Sequence, residues 1–151
     1  MYKYRHERIF SRMEYVRYIY THRDSAFEIF PFPLIIYSRD GTIEAANKEF
    51  CEIAKIKEDD IQQKNVNIFD YIDNKDNHGL DEAVRMAFSG VPNVYISDTR
   101  IIRTEKETPE DYLSNQYPNA IFYPMTYGGE DVKLVGILLD DNKTAEGETI
   151  D

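Results

Sequence analysis

Pro33-Leu-Ile-Ile-Tyr-Ser-Arg-Asp-Gly-Thr-Ile-Glu-Ala-Ala-Asn47 decides how the chain is read. Two short β-prone runs, Leu34 to Tyr37 and Thr42 to Ala45, flank Asp40-Gly41, a dipeptide that supplies the positive φ angles of a tight hairpin turn. Asn47 closes the second run and opens a helical segment, Lys48 to Lys55. Near the other end of the chain, Leu134 to Leu139 forms a further apolar strand ending at Asp140-Asp141.

Working outward, residues 2–24 read as an amphipathic helix. Ile9, Met13, Val16 and Tyr20 recur at helical spacing, Tyr2, His6 and Phe27 extend the same face, and the opposite face is charged. Three uses fit such a helix: packing on its own domain, pairing with a second copy through Ile9, Met13, Val16 and Tyr20, or serving as a nucleic-acid or membrane-surface arm. Pro31 and Pro33 end the helical region and force extended backbone into the first strand.

After the hairpin come short helical turns at 48–55, 58–63 and 67–72, with Asn65 and Asn67 as cap or turn residues. Asp76 to Ser89 is the best helix of the body, with Leu80, Val84 and Ala87 or Phe88 in register and Gly90 and Pro92 ending it. Asn93 to Thr104 reads as a strand, Glu105 to Pro118 as a long surface loop with a helical turn at 109–113, and Ala120–Tyr127 with Val132–Leu139 as a hairpin closed by Gly128-Gly129. Strands at both ends of the chain must share a sheet, because a lone hairpin is only marginally stable, and the helices between them then cross its face. The expectation is an α+β fold: a five-stranded antiparallel sheet, short helices on one face, and an N-terminal amphipathic helix. Its divisions are 1–27 for that helix, 28–144 for the main domain and 145–151 for a tail or cut linker.

Composition limits the function. The 151 residues suffice for one core, with 42% hydrophobic and 30% charged residues. No run approaches the roughly 18 apolar residues of a membrane span, and no leader is recognisable, so a cytoplasmic protein is expected. Charge is unevenly spread: the first 24 residues carry +3, and the rest −13 of the total −10. An acidic body repels phosphates, which argues against direct nucleic-acid binding. The single Cys51 cannot form an internal disulfide and reads as a small packing residue.

The order of elements resembles a PAS sensor domain over residues 31–144. Asp40-Gly41 and Asn47 match its first hairpin, Asn67-Ile-Phe-Asp-Tyr-Ile72 is similar to a segment of its central helices, and Ala87 to Gly90 to the end of its long helix. Phe122-Tyr-Pro-Met125 and Val135-Gly-Ile137 are similar to its last two strands, and Asp140-Asp141 through Thr144 to its closing signature. The resemblance implies a bacterial sensory module that binds a small molecule or a partner and regulates an attached output. Similar segments precede the helix-turn-helix of AraC-type transcription regulators, and such domains also precede histidine kinases in two-component systems. It further implies a homodimer. The ligand-free alternative is a pure interaction module.

Cofactors are constrained by departures from the family pattern. Flavin photosensors carry an Asn-Cys-Arg-Phe-Leu motif where this chain has Lys64-Asn-Val-Asn-Ile-Phe69, so the cysteine that attacks flavin is missing. Haem-binding members use a histidine on the long helix. His78 stands at that helix's start, yet Asn77 and Gly79 flank it in a polar stretch, where a solvated histidine is the expected role. No metal-ligand spacing is present. No nucleophile elbow or phosphate-cradling glycine loop is present either, so catalysis is not expected. The expected inward positions, Tyr37, Phe50, Phe69, Tyr71, Met86, Tyr95, Phe122 and Met125, are the pocket candidates, and each has plain core packing as its competing role.

Overall fold

A computed structural model describes residues 2–72, 77–97, 101–103, 108–110, 117–128 and 131–140, with side chains omitted for 2–9, 126–128 and 131. The closing segment 141–144, the tail 145–151, most of the 105–118 loop and the Ile9 side chain lie outside this set.

The sequence order is α1 (Tyr2–Thr21), a 3-10 turn (Ser25–Phe27), β1 (Leu34–Ser38), β2 (Ile43–Ala46), α2 (Lys48–Ala54), α3 (Glu58–Gln62), a 3-10 turn (Ile68–Asp70), α4 (Leu80–Phe88), β3 (Asn93–Ile96), β4 (Asn119–Gly128) and β5 (Asp131–Asp140). The strands form one antiparallel sheet in the order β2-β1-β5-β4-β3. The two ends of the chain meet at its centre: Leu34 pairs with Leu138 and Ser38 with Leu134. Strand alternation then divides the sheet's side chains between two cores. Ile35, Tyr37, Ala120, Phe122, Val135, Ile137 and Leu139 face α2 to α4. Leu34, Ile36, Ile121, Tyr123, Met125 and Leu138 face the other way and meet Met13, Val16 and Ile19 of α1. The molecule is therefore three layers, α1 over the sheet over the short helices.

The hairpin turn differs from its expected form. Gly41 N–H donates to Ser38 O at 2.9 Å and Ser38 N–H to Thr42 O at 3.0 Å, and Gly41 alone of the turn has positive φ, +90°. Asp40 is not left-handed, so the loop has three residues with glycine in the bulge position. Asp40 instead uses its carboxylate, which accepts from Ser38 Oγ at 2.6 Å and Thr42 N–H at 2.9 Å.

Three further expectations need correction. The strand predicted over 93–104 ends at Ile96. Ile101 and Ile102 are both fully buried in the inner core, and Ile102 bridges Ile72. Two adjacent buried isoleucines break the alternation a half-buried strand requires. The helix predicted from Asp76 begins at Leu80, because Gly79 before it has φ +85°. It closes as expected at Gly90, through Val91 N–H to Met86 O at 2.9 Å and Gly90 N–H to Ala87 O at 3.0 Å. Finally, Met13 and Val16, read as dimer-interface candidates, are fully buried within their own chain, and Tyr20 is half-buried beside them. The sheet's second apolar face needs a cover, and the helix stripe provides it.

Candidate functional site

Asn47 fixes the entry to the domain. Its Oδ1 accepts from Leu34 N–H at 2.9 Å and, as the cap of α2, from Phe50 N–H at 3.1 Å. Its Nδ2 donates to the carbonyls of Phe30 at 3.2 Å and Phe32 at 2.8 Å. One fully buried amide thus ties the connector after α1, the start of β1 and the start of α2.

Asn67 does a similar task at the hairpin tip. Its Nδ2 donates to Asp40 O and its Oδ1 accepts from Phe69 N–H, both at 2.9 Å. A Cβ on Gly41 would stand 2.3 Å from Asn67 Oδ1 and 2.6 Å from the Phe69 ring, so glycine is required for the tip to lie against this turn. The consequence is a placed Phe69, 42% exposed, whose ring walls a surface groove of about 500 Å³. Phe88 and Val84 of α4 supply its other apolar surface, and Asp81, Arg85 and Ser89 line it with Arg39 from the turn. Arg39 donates through Nη2 to Phe88 O at 3.0 Å and lies 5.1 Å over the Phe88 ring. Arg85 pairs with Glu82 at 2.7 Å, which raises its pKa further.

Tyr37 stands behind these walls, edge-on to Phe88 at 5.4 Å and to Phe69 at 6.4 Å. Its hydroxyl is buried without a hydrogen-bond partner among the described residues, and burial pushes its pKa well above the usual phenol range.

The pocket candidates are thus distributed unevenly. Tyr37, Phe50 and Phe122 are fully buried inner core, Tyr71 and Tyr95 lie at its margin, and Phe69 reaches the groove. Met86 does not face inward. It is 36% exposed, because it precedes the buried Ala87 by one residue and so points about 100° away from it. Met125 is buried on the opposite face, against Gly136 and the α1 layer. It lies three residues from Phe122, and an odd separation on a strand reverses the face. Arg39 and Arg85 escaped the sequence reading, which sought apolar positions. No signal singled them out, since the acidic body holds ten other lysines and arginines.

His78 is exposed in the turn before α4, where its carbonyl accepts from Tyr95 Oη at 2.8 Å. Among the described residues no three His, Cys, Asp or Glu side chains are grouped to hold a metal ion. Cys51 is buried, and burial, with Glu58, Glu28 and Glu52 nearby, pushes its thiol up to about 11. A smaller cavity of about 230 Å³ lies between α3 and the connector, edged by Glu28, Glu44 and Glu58. Burial foremost, then a hydrogen bond shared with Glu58 and that residue's charge, raises the Glu28 pKa.

On the outer face, α1 is fastened to the sheet by polar contacts as well as apolar ones. Arg12 lies 3.8 Å from the buried Asp140 carboxylate at the end of β5. Tyr123 Oη donates to Glu14, and Arg17, paired with Glu14 at 2.6 Å, lies 5.5 Å over the Tyr123 ring.

With this geometry in place, the chain superposes on the PAS domain of an HTR-like protein from Haloarcula marismortui with a TM-score of 0.53 at 14% identity, covering 87% of this chain and 98% of that one. The chain has the PAS fold. Two further PAS domains are similar at lower scores. One comes from a two-component sensor histidine kinase (TM-score 0.47, 8% identity, 85% and 95% covered), the other from Bordetella pertussis BvgS (0.46, 9%, 92% and 96%). No protein-family model and no curated protein matches the sequence. No helix among the described residues of this PAS-fold chain is long and apolar enough to cross a membrane.

Proposed function

We propose that this chain is a non-catalytic, cytoplasmic PAS-type sensory domain that responds to a small molecule or partner and regulates an attached output, a kinase or a transcription regulator. The observation that carries this reading is the Arg12–Asp140 contact. It joins α1 to the last described residue of β5, so the two elements that lead out of the sheet share one partly buried electrostatic contact. Signal transfer needs an element with two arrangements whose populations a ligand biases. A helix docked on a sheet through three buried side chains and a few polar contacts is such an element, since release exposes that helix face and the outer face of the sheet beneath it and leaves the inner core intact.

The test is a chimera in which the chain replaces the sensory domain of a histidine kinase and autophosphorylation is measured. Arg12→Gln and Asp140→Asn are expected to shift kinase activity in the same direction, each by severalfold. Activity indifferent to both substitutions, with the domain folded, contradicts the proposal.

A second reading, an interaction or homodimerisation module, draws on Tyr15 and Tyr18, which are 50% and 55% exposed on the outward side of α1. Deleting α1 cannot test it, because that uncovers the sheet. Tyr15→Ser with Tyr18→Ser leaves the outer core untouched, and this reading expects the double variant to lose self-association in analytical ultracentrifugation.

A further inference from the structure

We propose that the groove between the hairpin tip and α4 binds a small aromatic monocarboxylate, its carboxylate on Arg39 and its ring against Phe69 and Phe88. The proposal rests on the sensory reading above and adds the ligand's chemistry. A volume of about 500 Å³ suits a small organic molecule. The walls offer one large exposed ring, Phe69, beside Phe88 and Val84, which favours a flat apolar body.

Charge decides the rest. Two arginines and one aspartate line the groove, but Arg85 is already paired with Glu82, so Arg39 is the lining cation without a carboxylate partner among the described residues. Arg39 is already oriented by the Phe88 carbonyl and the Phe88 ring, and that bond uses one of the guanidinium's five donors. The remaining fork matches a carboxylate in bidentate fashion. Asp81 repels a second negative charge, which selects a monoanion.

Titrating the 151-residue chain with phenylacetate, and separately with phenylacetamide and inorganic phosphate, while following backbone amide NMR shifts, tests this directly. Saturable shifts are expected at Arg39, Phe69 and Ser89 with phenylacetate, and binding about tenfold weaker for the neutral amide and for Arg39→Gln, the loss of one charge-assisted contact. If Arg39→Gln does not fold, Arg39→Lys, which keeps the charge and loses the fork, is expected to bind with intermediate affinity. Equal affinity for acid and amide, equal binding of phosphate, shifts centred on the Glu28–Glu58 cavity, or no saturation overturns the proposal. Such a result leaves the sensory reading standing, since that reading fails only if the kinase chimera ignores Arg12 and Asp140.

Discussion

Asn47 uses both ends of its amide, and the geometry makes its replacement costly in a specific way. Asn47→Ala strands two N–H groups and two carbonyls in a buried setting, and unfolding in urea should show a loss of about 3 kcal/mol or more. Asn47→Asp should not rescue it, because a carboxylate cannot donate to the Phe30 and Phe32 carbonyls. Tyr37 offers the opposite case. Its hydroxyl is buried without a partner among the described residues, so Tyr37→Phe is expected to leave stability unchanged or raise it by about 1 kcal/mol. A clear loss in thermal melts would mean the hydroxyl is satisfied in the folded domain. Glu28 sets a pH dependence. Its carboxyl titrates above the ordinary 4.5 in the folded chain, so the native state holds the proton more tightly than the unfolded one. Stability from this group is therefore greatest near and below pH 4.5 and is lost as pH rises through the raised folded value. Glu28→Gln should raise Tm at pH 7 to 8, with the gain vanishing near pH 4.

At the scale of elements, α1 is the instructive one. Its stripe is legible from spacing, but spacing cannot say whether a stripe faces its own sheet or another copy. The deciding fact is that the sheet has two apolar faces, which emerges only once β1, β4 and β5 are paired. Ile19, three residues after Val16 and so on the same stripe, was legible by spacing but passed over for its neighbour Tyr20. Met13→Ala should lower stability by about 2–5 kcal/mol at any protein concentration, as expected for a cavity in a core and not for a lost dimer contact. The hairpin was legible from Asp40-Gly41, and its three-residue form was not, because Asp40 serves through its carboxylate and not its φ angle. The end of β3 was missed where Ile101-Ile102 imitates a continuing strand.

The whole molecule follows from the meeting of its two ends at the centre of one sheet, a feature readable from two hairpin signals far apart in sequence. The groove was only partly readable. Phe69 belonged to the expected pocket, whereas Arg39 and Arg85 become neighbours only when the hairpin tip lies against α4, a tertiary contact with no periodic trace. In the proposed sensory function, α1 and the end of β5 form one junction that loosens while the rest of the domain holds. Hydrogen exchange of the intact chain, read by mass spectrometry for wild type and Asp140→Asn, measures this directly. Faster exchange is expected across residues 10–21 in the variant, with β1 and β5 as protected as before. Equal acceleration in all three elements, or an α1 already unprotected in the wild type, would contradict it.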